Sequence, residues 1–381
     1  MNRKEIREIR KRFAPEKENF SHIYGCYVNA AKEIVATMDL PVMTMEQEER
    51  EMYMNILKRT LSGALGRNLL QIEFDTDQVG VSDEHTLLQA LRMSHLSDEN
   101  MRQLLYDRIR EHLEMEETSY VILLAADSYD VPFKEGSGDW DEDSTDQYDY
   151  FVCCVCPVRD SKAALRYYAE ERSFRGASTG SLLSAPQIGF LFPTFEDRAT
   201  NIYSALYYTH SASEIHEEFI EAIFHAPRVP MAPAYQKDAF GEALTEALGG
   251  ECSLEVVKSV HAQLRERLAL HKESHDPEAP EISLDEVDEI LMAGGVSDDG
   301  IRQFHETCRK TFDDPLTLNP ENLIESRKFE VVTPEAKITV DPEQVPAIKM
   351  QEIDGRRYLL IPVGEGVTVN GIELGIAPER D

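Results

Sequence analysis

The chain has 381 residues, with 71 acidic against 39 basic side chains and a formal net charge of −32 at pH 7. A hydrophobic content of 42%, with 15 Phe and 15 Tyr, excludes a generally disordered chain. The charge excludes nucleic acid and anionic membrane as partners for most of the surface. Residues 1–12 break the pattern: Arg3, Lys4, Arg7, Arg10, Lys11 and Arg12 stand against Glu5 and Glu8. Helical spacing puts Arg3, Arg7 and Arg10 along one stripe and Ile6, Ile9 and Phe13 along another, and Pro15 ends the helix. The apolar stripe predicts a helix docked on a core, its bases paired with the acidic body. The basic stripe offers the alternative of a contact with nucleic acid or another anionic partner.

Residues 23–29 and 33–37 read as two strands around a short turn. Residues 46–62 form a helix, with Met45, Met52, Ile56 and Leu61 at helical intervals and Gly63 as its stop. Residues 69–74 are a strand, and 85–93 and 98–115 are helices, the second capped by Ser97. Residues 120–127 and 148–158 are nearly continuous apolar runs, as expected in the middle of a sheet. Between them, residues 135–149 carry seven acids and no base, which predicts an exposed, mobile loop. Strands at 165–169, 187–192 and 202–208 and a helix at 214–224 complete an α+β domain over residues 1–225. Its sheet is mostly antiparallel, with flanking helices.

Pro227, Pro230 and Pro233 recur every third residue, which favours a stiff polyproline II connector over residues 226–235. Residues 236–325 form a small helical bundle. Gly249-Gly250 and Gly294-Gly295 each end a helix, Ser253 and Ser297 open the next, and Ser283 with Glu286 makes a capping box. From residue 328 the period returns to two, with strands at 331–332, 337–340, 347–353 and 356–361. Asp354-Gly355 and Asn370-Gly371 are type I′ turn dipeptides. Residues 326–381 are thus a C-terminal β unit, too small to stand alone, that docks on the rest.

No apolar run approaches the roughly 18 residues of a membrane-spanning helix; the longest are 121–126 and 151–156. Six cysteines are too sparse for a disulfide scaffold, and the charged N-terminus does not resemble a secretion signal, so a cytoplasmic protein is expected. Cys153, Cys154 and Cys156 share one strand, with Cys154 and Cys156 on one face. No second cysteine or histidine pair completes a zinc set, so they read as buried thiols. His216-Glu217 and His305-Glu306 lack the second histidine of a zinc-protease helix, since Ile220 and Arg309 stand there. His271 and His275 supply at most half a site. Asp139, Asp141 and Asp143 have calcium-loop spacing, but Ser144 and Tyr150 occupy the positions that need Gly and Glu. There is no phosphate-binding lysine loop, nucleophile elbow or dinucleotide fingerprint. No metal site and no cofactor are therefore expected. The candidate catalytic groups are Asp127 and Asp130, two carboxylates near one turn at the end of a central strand, and Asp197 with Arg198, an ion pair after an aromatic strand. A turn that caps its own backbone is the competing role for Asp127 and Asp130.

Specific stretches carry a family resemblance. They are Glu8-Ile9-Arg10-Lys11-Arg12-Phe13, Gly25-Cys26-Tyr27-Val28-Asn29, Leu61-Ser62-Gly63 with Leu65-Gly66, and Tyr129-Asp130-Val131-Pro132. Cys154 with Cys156-Pro157-Val158, and Gly189-Phe190-Leu191-Phe192-Pro193 with Asp197-Arg198, complete the set. Through these the chain resembles a bacterial family of about this length, domain of unknown function 4317, common in Firmicutes. That resemblance implies no activity and supplies no catalytic residue. In architecture the chain is also similar to nucleoid-associated proteins of the 37-kilodalton class. At sequence level only Lys337-Ile338-Thr339-Val340 and the Asp354-Gly355 turn carry that similarity, which is analogy of architecture. The expected function is that of a non-enzymatic cytoplasmic interaction protein, nucleoid- or ribosome-associated, meeting a protein or nucleic-acid partner through Arg3, Lys4, Arg7, Arg10, Lys11 and Arg12. The alternative is a metal-assisted hydrolase using Asp127 and Asp130. A pocket holding both aspartates with a third acid or histidine would favour the enzyme.

Overall fold

The computed structural model describes residues 1–134, 140–141, 146–160, 164–168, 170, 172–177, 180–312, 317–362 and 366–374. The chain divides into two compact units, Met1–Tyr235 with Pro277–Ala279 and Gln236–Asp276 with Pro280–Asp381.

The first unit runs α1 (Arg3–Arg10), β1 (His22–Val28), β2 (Ile34–Pro41), α2 (Gln47–Arg59), β3 (Leu69–Glu73), α3 (Asp83–Met93) and α4 (Glu99–His112). It continues with β4 (Tyr120–Asp130), β5 (Phe133–Lys134), β6 (Trp140–Asp141), β7 (Gln147–Asp160), β8 (Ala164–Tyr168), β9 (Ser173–Ala177) and β10 (Ser181–Leu183). β11 (Ile188–Phe192), β12 (Thr194–Glu196), β13 (Ala199–Asn201), β14 (Ser204–Thr209) and α5 (Glu217–Phe224) complete it. Eight strands make one antiparallel sheet in the order β2-β1-β4-β7-β11-β14-β3, with β10 paired to the far end of β7. The fold is α+β, as the element pattern predicts.

Helices cover both faces of the sheet, and that explains the two continuous apolar runs. In β7, Phe151, Cys153 and Val155 enter the core shared with α3, α4 and α5, while Val152, Cys154 and Cys156 enter the core shared with α1 and α2. The cysteines separate as strand alternation requires. Cys154 Sγ lies 3.8 Å from Cys156 Sγ. Its contact with Cys156, together with burial, holds the Cys154 thiol well above the ordinary range, and burial, with a smaller contribution from Cys156, does so for Cys153.

Several boundaries differ from the periodicity. The helix read as 98–115 stops at His112, and its cap is Asp98, whose side chain accepts from the Asn100 and Met101 amides, rather than Ser97. The stretch read as a turn after residue 127 is strand: β4 continues to Asp130 because β7 pairs with it along its whole length. The acidic stretch 135–149 is shortened from its far end, since β7 begins at Gln147. The expectation of a mobile loop falls mainly on residues 135–139 and 142–145, outside the described residues. In the proline-rich stretch, Ala226 and Ala232 are buried in the core beside α5, and α6 (Pro233–Leu248) starts at the third proline.

The second unit holds most of α6, then α7 (Leu254–Ser274), β15 (Ile282–Ser283), α8 (Leu284–Ala293), α9 (Asp298–Thr311), β16 (Thr317–Leu318) and α10 (Pro320–Leu323). Its tail is three hairpins: β17 (Phe329–Val332) with β18 (Lys337–Val340), β19 (Lys349–Ile353) with β20 (Arg356–Leu360), and β21 (Val367–Val369) with β22 (Ile372–Leu374). Ser253, Ser283 and Ser297 cap α7, α8 and α9, and Glu286 closes the capping box. Asp354 and Gly355, like Asn370 and Gly371, all have positive φ, as a type I′ turn demands. Phe329, Val340, Val345 and Ile348 form a small core joined by Leu254 of α7. Lys258 of the same helix donates to the Ile348 carbonyl at 3.1 Å. Among the described residues, no helix is long and apolar enough to cross a membrane.

Candidate interaction site

The site starts from the first turn of the chain. Asn2 accepts from the Lys4 and Glu5 amides at 3.0 and 3.1 Å, and Glu5 Oε2 accepts from the Asn2 amide at 2.8 Å, a complete capping box. Ile6, Ile9 and Phe13 are buried against the sheet, so the apolar stripe docks α1 as its spacing predicts.

Beside that stripe lies a polar flank that also faces inward. Glu5 accepts the Asp197 amide at 2.8 Å. Burial raises its carboxyl above the usual range, against those two amide donors. Glu8 accepts the Tyr129 hydroxyl at 2.6 Å and pairs with Arg198 at 3.1 Å. Burial and Glu8 push the Tyr129 hydroxyl up to about 12. Arg12 holds Asp127 in a fork, Nε to Oδ2 at 2.8 Å and Nη2 to Oδ1 at 2.9 Å, and Nη2 also donates to the Ser128 carbonyl at 3.2 Å. Tyr150 donates to Asp127 Oδ2 at 2.9 Å, and the guanidinium sits 4.9 Å from the centre of the Tyr129 ring. The α-ammonium of Met1 meets Glu196 at 3.0 Å and Gln71 at 2.9 Å. Burial raises the Glu196 carboxyl, but the ammonium, Asn201 and Thr194 outweigh it and hold the group below the usual range.

The six bases therefore divide. Arg12 is spent on Asp127, and Arg3 and Arg10 lie half-buried on the flanks of the helix. Lys4, Arg7 and Lys11 are exposed, and their spacing puts them on one stripe opposite Ile6, Ile9 and Phe13. The stripe read from the sequence, Arg3, Arg7 and Arg10, is rotated from this one because the apolar residues, not the charges, set which side faces the sheet.

Asp127 and Asp130 do not meet. They stand three apart in β4, on opposite faces; Asp127 is buried and Asp130 exposed. Asp197 and Arg198, with φ of 48° and 62°, form the two-residue turn between β12 and β13, from which Arg198 reaches Glu8 and the Pro132 carbonyl.

A cavity of about 390 Å³ beside the Arg12–Asp127 pair is lined by Arg12, Asn19, His22, His95, Asp127 and Ser128. Two of its lining residues, Ser128 and His95, lie beside Asp149, a serine, a histidine and an acid that the sequence reading did not bring together. Ser128 Oγ donates to Asp149 Oδ1 at 2.5 Å, while His95 Nδ1 is 3.5 Å from Oγ and its Nε2 is 3.9 Å from Asp149. A serine nucleophile needs the histidine between hydroxyl and acid. Here the hydroxyl donates its hydrogen bond to the acid directly and the histidine stands beside that pair, so the three brace the strand ends without the geometry of a nucleophile. Pairing the two long apolar runs would have put Ser128 opposite Asp149; nothing in the sequence places His95, from the α3–α4 connection, beside them.

Fold and site together define an α+β protein whose N-terminal helix is anchored on a central antiparallel sheet by a polar network and leaves one basic stripe outside. The chain belongs to the family described as Domain of unknown function (DUF4317), whose family model matches residues 1–372. No curated protein and no solved structure matches the chain.

Proposed function

We propose that the protein acts by binding, in a bacterial cytoplasm, as an interaction protein that meets a nucleic-acid-bearing partner of nucleoid or ribosome type through the exposed face of α1. The observation that carries this reading is the division of the six bases. Folding uses Arg12 and part of Arg3 and Arg10, while Lys4, Arg7 and Lys11 make a stripe that no packing contact requires. The capping box and the Glu5, Glu8 and Arg12 anchors hold the helix in one orientation, so the three cations are presented without further ordering. The two-aspartate hydrolase lacks comparable support, since Asp127 already serves Arg12 and Tyr150 with both oxygens.

The test is binding of labelled duplex DNA and of ribosomal RNA fragments across a salt series, by wild type and by the triple variant Lys4→Glu, Arg7→Glu, Lys11→Glu. Three phosphate contacts give a slope of log affinity against log salt of about −2.7 on duplex DNA. The triple variant should lose binding and keep its urea midpoint. Binding of unchanged slope in the variant, or no binding of either nucleic acid by wild type in low salt, overturns the reading.

A further inference from the structure

We propose that Asp285, Asp288 and His305 form a binding site for a transition-metal dication of the zinc type. The Ser283 capping box starts α8 so that Asp285 and Asp288, three apart, lie on one side of it. Ser297 starts α9, which returns along α8 and brings His305 to those carboxylates. One donor atom from each residue lies within 4.8 Å of the other two. His305 Nε2 is 3.9 Å from Asp285 Oδ1 and 3.9 Å from Asp288 Oδ2. Those distances are too long for hydrogen bonds, so three strong polar groups face one another across a gap without bonding.

A second, independent observation is the state of Asp288. Its Oδ2 faces His305, while its Oδ1 is buried with no hydrogen-bond partner in the protein, so the carboxylate as a whole is poorly satisfied although its side chain is 21% exposed.

The size of the gap fits a small ion. Tetrahedral zinc with bonds of about 2.0–2.1 Å sets its donor atoms about 3.4 Å apart, so closing the site takes side-chain movements of about half an ångström for the two His305 pairs and at most about 1.4 Å between the two carboxylates. The donor set selects the class. An imidazole disfavours magnesium and calcium, which prefer all-oxygen shells, and two carboxylates disfavour soft monovalent copper. Cys308, one turn further along α9, is buried and its Sγ is not among the donor atoms that converge, so the donors are carboxylate and imidazole. Three protein ligands leave the remaining coordination positions to water or to a further ligand.

The experiment titrates chelator-treated full-length protein with Zn²⁺ by calorimetry, with Co²⁺ by visible absorption, and with Mg²⁺ as the hard-cation arm. One equivalent of Zn²⁺ and a tetrahedral Co²⁺ spectrum are expected, with Mg²⁺ at least tenfold weaker. His305→Ala and Asp288→Asn should each weaken Zn²⁺ binding tenfold or more and remove the Co²⁺ bands, with helix content unchanged by circular dichroism. Asp130→Asn, an exposed acid elsewhere, should change neither. Stoichiometric binding that survives both site variants would place the metal on another part of the acidic surface and overturn the assignment. Absence of Zn²⁺ binding, or equal affinity for Mg²⁺, would overturn it as well.

Discussion

Arg12 is one of six bases near the N-terminus, and nothing in its spacing sets it apart from Lys11. Its environment does. With 2% of its side chain exposed, Asp127 is an anion removed from water, and Arg12, at 20%, is its counter-charge. Truncating one member of such a pair leaves the other desolvated and costs about 3–5 kcal/mol. Arg12→Ala should therefore lower stability in urea by about that amount. The double variant Arg12→Ala, Asp127→Asn should cost clearly less than the sum of the single changes, because it removes the stranded charge. A loss under about 1 kcal/mol for Arg12→Ala would mean that water reaches Asp127 and that the fork contributes as little as a surface pair. Reversing Arg12 would thus confuse folding with binding, whereas Lys4, Arg7 and Lys11 can be reversed without touching the anchors.

Elements were largely readable because helix and strand periods differ and the capping residues are specific. The serine caps of α7, α8 and α9 and the two type I′ turns were legible residue by residue. Failures occurred where two residues of equal local fitness adjoined. Ser97 and Asp98 are both good caps, and the choice follows from the turn on which Leu105, Tyr106 and Ile109 meet the core. Asp98→Ala should cost about 1 kcal/mol in thermal or urea unfolding. Ser97→Ala should stay within about 0.5 kcal/mol. The reverse order would restore Ser97 as the cap. Likewise, Asp127-Ser128-Tyr129-Asp130 has the composition of a turn, yet it is strand because β7 offers it partners on a neighbouring edge.

For the molecule as a whole, the −32 charge acts against compactness at every distance not screened by salt. Between about 0.01 and 0.15 M ionic strength the screening length falls from about 30 to about 8 Å, which removes repulsion between distant acids while sparing desolvated pairs such as Arg12–Asp127. The midpoint of thermal unfolding at pH 7 should accordingly rise with sodium chloride over that range. A falling midpoint would mean that exposed ion pairs contribute more to stability than the net charge removes.

Composition, periodicity and capping chemistry sufficed for the α+β class, the docking of α1 through Ile6, Ile9 and Phe13, and the split of Cys153 from Cys154 and Cys156, because each depends on neighbours within a few residues along one element. The structure alone decided which charges are spent and which are free. Arg12 finds Asp127 across 115 residues, Glu8 finds Arg198 across 190, and Ser128 finds Asp149 across 21. Such pairings depend on strand order and on the rotation of a docked helix, and an apolar stripe sets that rotation more strongly than any charge does, since buried apolar area outweighs an exposed ion pair.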